Sequence, residues 1–237
     1  MNQKQRVIYY LMLSTIGVAL IILMSRLAPQ DTSTTTTIQT IDRLLLGGIF
    51  ITICIFGFSL AIRPNWISGL TKQPNHDPEK KGSQIKKRRI QGHHPDCEQF
   101  EGHTIKINEK ILCAGCTGLA LGSIISIILM GAYVVLPGRI KPHILHQLII
   151  LGMTFKILNF IETLIPMKNS LLHTISNIFL VIGFSFIVVG IFQQTGSTSY
   201  GIITVIISLL FLDTRIQISS WQHDKICRDC SEDCKIY

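Results

Sequence analysis

Apolar residues in this chain gather into long runs, separated by polar segments of unequal length. A helix needs roughly 20 apolar residues to cross the hydrocarbon core of a bilayer. The first run, 7–24, follows Lys4 and Arg6. It is too long for the apolar region of a signal peptide, and no small-x-small cleavage site follows it. It therefore predicts a first spanning helix. The runs 44–62, 117–136, 144–165 and 171–192 predict four more; Pro137-Gly138 ends the third span and Pro166 the fourth. The sixth, 200–212, is only marginally long enough. It extends to 218 if Asp213 and Arg215 are admitted, and a short or re-entrant segment is the alternative.

The predicted fold class is thus an all-α polytopic transmembrane helix bundle of about six spans. It carries a Cys/His-rich juxtamembrane loop and a Cys-rich C-terminal tail. The organisation read from the pattern is two N-terminal transmembrane helices (1–62), a basic flexible linker (63–91), a Cys/His metal-binding motif (92–116), a four-helix transmembrane region (117–218) and the tail (219–237). Gly118, Gly122, Ser123 and Ser126 in the third span are small residues that let helices approach closely.

Composition agrees with this class. Of 237 residues, 47% are apolar and 15% charged, where a soluble domain carries about 25% charged. The net charge of +8 sits largely in one loop, where Lys80, Lys81, Lys86, Lys87, Arg88 and Arg89 put six positive charges into ten residues. Such a cluster first reports orientation and attraction to anionic lipid headgroups. No aromatic residues interleave with it, which speaks against nucleic acid. With this loop and the N-terminus inside a cell membrane, six spans return the C-terminus to the cytoplasm as well. The Thr-rich segment 28–42, which has no basic residue, then lies outside, as do Arg139 and Lys141 against the rule.

Six of the seven cysteines fall in the two polar segments; Cys54 is a mid-span packing residue in this reading. In a reducing cytosol, metal ligation is favoured over disulfides. The loop offers His93, His94, Cys97, His103 and the knuckle Cys113-Ala-Gly-Cys116; the tail offers His223, Cys227, Cys230 and Cys234. Two thiolates separated by two residues bind one ion through a tight turn, and zinc takes four Cys or His ligands. One of His93 or His94, His103 and six cysteines make eight ligands, which suits two zinc ions. Reduced structural thiols, lipidation and an iron–sulfur cluster are the competing readings, although the tail spacing is not a ferredoxin run.

Lys156 lies near the centre of the fourth span, where an ionisable group costs about 3 kcal/mol or more. Asn159 and Glu162 follow at three-residue intervals, and His173 and Asn177 share one face of the fifth span. These five residues suggest either interhelical hydrogen bonds, with Glu162 and His173 at the interface, or a polar pathway for a small ligand. No phosphate-binding glycine loop, His-Glu-x2-His helix, Gly-x-Ser-x-Gly elbow or dinucleotide fingerprint is present.

The residues His93, Phe100, Cys113, Cys116, Thr117, Gly118 and Gly122 resemble the motif of an uncharacterised prokaryotic membrane-protein family, the domain of unknown function 2085. That motif has a Cys-His pair, a Phe about seven residues on, then Cys-x-Arg-Cys-Thr-Gly leading into a glycine-bearing span. Here Gly92 stands for the leading Cys and Gly115 for the Arg, and Cys97 offers a replacement sulfur. The resemblance covers about 30 residues plus the helical layout, and implies a membrane protein with a thiol-rich juxtamembrane motif.

The functional expectation is a membrane protein with a cytoplasmic-face zinc site that is structural or docks a protein partner or a second copy. One alternative is a membrane enzyme, either a metal-dependent hydrolase or a thiol redox protein, using the same cysteines. Another is a small-solute transporter using the polar residues of spans four and five.

Overall fold

A computed structural model describes residues 3–27, 39–62, 90–91, 102–107, 110–136, 140–165 and 169–228. The fold is an all-α bundle of six helices, each long and apolar enough to cross a membrane. They are α1 (Gln3–Leu27), α2 (Thr40–Ile62), α3 (Ala114–Val135), α4 (Pro142–Leu164), α5 (Ser170–Thr195) and α6 (Thr198–Arg228). Large apolar side chains such as Ile128, Val135, Ile150 and Ile206 stand exposed on their outer faces. Acyl chains solvate such residues and water does not, so the bundle belongs in a bilayer.

The fifth helix is the hub. It packs against α3, α4 and α6, while α2 lies on α3 and α1 on α6. Of the α5 span 67% is buried, against 22% of α2. Asn169 caps the start of α5, its side-chain oxygen accepting from the amides of Leu171 (3.0 Å) and Leu172 (3.4 Å). This satisfies two of the amides that a helix start leaves unpaired. Gly118 and Gly122 of α3 face α5, while Ser123 lies toward Gly57 of α2. A Cβ on Gly118 would stand 2.8 Å from Asn177 Cβ, with the Thr174 carbonyl oxygen closer still. Only a glycine allows that approach.

The two ends of the bundle differ in chemistry. At one end, hydroxyl and amide hydrogen bonds close the assembly: Ser25 to Gln194 (3.1 Å), Gln193 to Tyr133 (2.8 Å) and Thr198 to the Asp42 carboxylate (2.9 Å). The other end gathers cysteine, histidine, glutamate and arginine around the first turn of α3.

Two findings extend the sequence reading. The polar segment before α3 contains a small sheet of β1 (Ile90–Gln91), β2 (Thr104–Ile107) and β3 (Lys110–Cys113), in the order β1-β3-β2. The sixth helix has 31 residues rather than a marginal thirteen-residue core. At 1.5 Å per residue it is about 46 Å long, against a hydrocarbon core of roughly 30 Å. It spans the membrane and carries its last turns beyond it.

Candidate functional site

The site starts from a hairpin that runs into a helix. Strands β2 and β3 pair antiparallel, with Thr104 opposite Cys113 and Ile107 opposite Lys110. Cys113 ends β3 in extended geometry (φ −73°, ψ 122°) and is the N-cap of α3, so Cys116 falls in the first helical turn. This change from strand to helix turns both side chains to one side, and the two thiols are in hydrogen-bonding contact. Thr117 Oγ1 donates to the Cys113 carbonyl (2.9 Å) and Thr174 Oγ1 to that of Ala114 (3.2 Å), tying the turn to α5.

Three imidazoles line up beside this knuckle. The rings of His103 and His173 meet edge to face at 5.0 Å, and those of His103 and His223 at 5.8 Å. They come from the hairpin, the start of α5 and the protruding end of α6. His173 Nδ1 is bonded to Glu162 Oε1 across the α4–α5 interface, and both side chains are buried. A carboxylate partner holds the ring proton on Nδ1 and leaves Nε2 as the lone-pair nitrogen. That Nε2 would stand 3.1 Å from a Cβ on Gly115, and Arg215 Nη2 3.7 Å from it. The glycine inside the knuckle is what lets the imidazole and the guanidinium come this close.

Arg215 is buried and interacts electrostatically with Glu162, Cys113 and Cys116. The sequence reading missed this residue, because it took Arg215 as a flanking charge at a span end. The available signal was its position: in a helix running to 228 it lies well inside, where an unpaired arginine is costly.

Deeper in the bundle, polar contacts continue along α4. Asn159 Nδ2 donates to Ser176 Oγ (2.8 Å) and Asn177 Oδ1 (3.4 Å), and Asn177 Nδ2 donates to the His173 carbonyl (2.6 Å). The interhelical hydrogen bonding expected from Asn159, Glu162, His173 and Asn177 is present. Lys156 is buried too, but its Nζ has no hydrogen-bond partner among the described residues.

Of the predicted ligands, the structure brings His103, Cys113 and Cys116 to one end of the bundle and puts Cys227 in the last turn of α6. His93, His94, Cys97, Cys230 and Cys234 lie outside the described residues, as do the basic residues Lys80, Lys81, Lys86, Lys87, Arg88 and Arg89. Among the described residues, no group of three or more His, Cys, Asp or Glu stands close enough to hold a metal ion. The Cys113–Cys116 pair alone supplies two thiols to one point.

No protein-family model, no curated protein and no solved structure matches the chain.

Proposed function

We propose that this integral membrane protein binds zinc at the Cys/His end of its bundle, and that the metal staples the hairpin and the end of α6 to the transmembrane helices. Cys113 and Cys116 supply two thiolates. His173 is pre-oriented by Glu162 as an imidazole donor, and the upstream and tail ligands complete the site. The observation that carries the reading is that the Cys113–Cys116 knuckle and the contacting rings of His103, His173 and His223 share one end of the bundle, although the described residues alone bring no three ligands together.

Chain connectivity supports the upstream ligands. Strand β1 runs parallel to β3 with Gln91 opposite Leu112. In the sequence, His93 and His94 follow Gln91 by two and three residues. His223 and Cys227 are four residues apart on α6, hence on one face. In the proposed orientation this end faces the cytoplasm, because the basic loop 63–91 joins it, and the resemblance to the domain of unknown function 2085 is of one piece with a thiol motif there. A site filled with protein ligands is structural and can present the hairpin to a partner.

The test is the metal content of detergent-purified protein beside a Cys113→Ser/Cys227→Ser variant. Near-stoichiometric zinc, lost in the variant, supports the site and joins the tail to the knuckle. Metal-free protein with two reactive thiols sinks it.

A second reading has its own observation. Two contacting thiols are also placed to close a disulfide with each other, as thiol–disulfide exchange requires. In that chemistry the pair reduces a partner disulfide to two thiols and becomes the Cys113–Cys116 disulfide. The metal measurement separates the two readings.

A further inference from the structure

Lys156 heads the large side chains that are fully buried, at 1% exposure. It lies mid-way along α4, and its Nζ stands 4.1 Å from the ring centre of Phe211 on α6 and 5.1 Å from that of Phe184 on α5. No hydrogen bond from the described residues reaches it. An apolar side chain of the same volume would fill this place without desolvating an amine, so packing does not account for the nitrogen. Ring faces attract the ammonium form, yet they leave its three donors unmet.

The same vacancy of partners recurs at two further levels of α4. Three residues toward the Cys/His end Asn159 Oδ1 is buried with no hydrogen-bond partner among the described residues, and three residues further so is Glu162 Oε2. Each step is about 4.5 Å along the axis. A donor and two acceptors thus stand at three levels of α4 between mid-membrane and the Cys/His end, spread over roughly one third of the helix surface. Bridging waters would give these atoms the hydrogen bonds that the described residues do not.

Among the described residues, no counter-charge is committed to Lys156. On its own helix, Glu162 is bonded to His173. On α5, His173 lies eleven residues before Phe184, about 16 Å along the axis. On α6, Asp213 is engaged by Tyr10 of α1, and Arg215 interacts with Glu162 and the two cysteines. Phe184 and Phe211 are what α5 and α6 present to the amine itself.

We propose that Lys156 is a proton-exchange site inside the membrane, connected to the Cys/His end by waters bridging it to Asn159 and Glu162. Deprotonation gives the amine and a hydronium ion, which leaves along these acceptors; uptake is the reverse. Only the proton on Lys156 changes hands, and Glu162 keeps its bond to His173 throughout. Gain or loss of this charge between α4, α5 and α6 makes their packing responsive to protons. The inference does not depend on zinc, since none of the three residues is a proposed ligand.

The experiment is a pH titration of full-length protein in detergent micelles, with ¹³Cε/¹⁵Nζ-labelled lysine. Lys156→Met identifies the signal by its loss, and Lys156→Gln serves if that variant does not fold. The expected result is that this signal shifts between pH about 5 and about 9. Its exchange with solvent protons slows several-fold in Asn159→Leu, while zinc content is unchanged in every variant. A signal that stays fixed over the whole range, or an exchange rate untouched by Asn159→Leu in folded protein, overturns the proposal.

Discussion

Glu162 and His173 join α4 to α5 through one buried bond, from the imidazole Nδ1 to the carboxylate Oε1, and this bond aims the opposite ring nitrogen at Gly115 in the cysteine knuckle. An imidazole held in this way is a better metal donor, because the carboxylate fixes its tautomer and raises its basicity. Glu162→Gln keeps an acceptor in place but removes the charge. Zinc affinity is then expected to fall by about 10–100-fold, with the helical content unchanged. Competition against a chelator of known affinity measures this; unaltered affinity would remove His173 from the ligand set.

Acidity should act on the same site with a definite sign. Thiolates and imidazoles shed protons to bind a metal, so the folded, loaded protein holds fewer protons than the unfolded chain. Stability then rises with pH. The drop in melting temperature caused by a chelator should be larger at about pH 8 than at about pH 6. An equal drop at both pH values would argue that the chelator acts elsewhere.

The packing of α3 on α5 gives a prediction free of any metal. A Cβ on Gly118 meets the backbone and Asn177 of α5. Gly118→Ala must push the two helices apart, at a cost of roughly 1–3 kcal/mol. Nothing lies within 4 Å of a Cβ on Gly48, so Gly48→Ala is the control and should melt like the parent. Thermal unfolding in detergent decides it, and equal melting of both variants would refute the close crossing.

How far the sequence reveals this arrangement depends on the length of each signal. Five spans are legible because twenty apolar residues in a row leave few alternatives. Helix α6 reads short because hydropathy falls after Leu212, yet no Gly or Pro interrupts the chain from there to 228. Its polar residues are absorbed by the site, with Arg215 turned to Glu162 and the cysteines. The hairpin escapes notice because its strands have four residues each. Its alternation, Thr104-Ile105-Lys106-Ile107, is visible only when that short window is isolated. The cysteines and histidines are legible by type and spacing. Their meeting with Glu162 and Arg215 is not, because it is set by the α4–α5 and α5–α6 packing that brings distant residues together.

Arg215 supplies the strongest test of that meeting. Its guanidinium is buried among Glu162, Cys113 and Cys116, and its Nε has no hydrogen-bond partner among the described residues. Removing one of two buried charges that interact leaves the other less compensated. Arg215→Met should therefore be strongly destabilising on its own. Removing both charges should be less so, because Glu162→Gln removes the carboxylate that Arg215→Met leaves with His173 alone. The Arg215→Met/Glu162→Gln double variant is expected to unfold at a higher temperature than Arg215→Met alone, giving a coupling of roughly 1–3 kcal/mol in a double-mutant cycle. Simple additivity would mean that the two charges do not sense each other. The guanidinium would then be held by the cysteine thiols, and the arginine would belong to the thiol chemistry rather than to the α4–α5 junction.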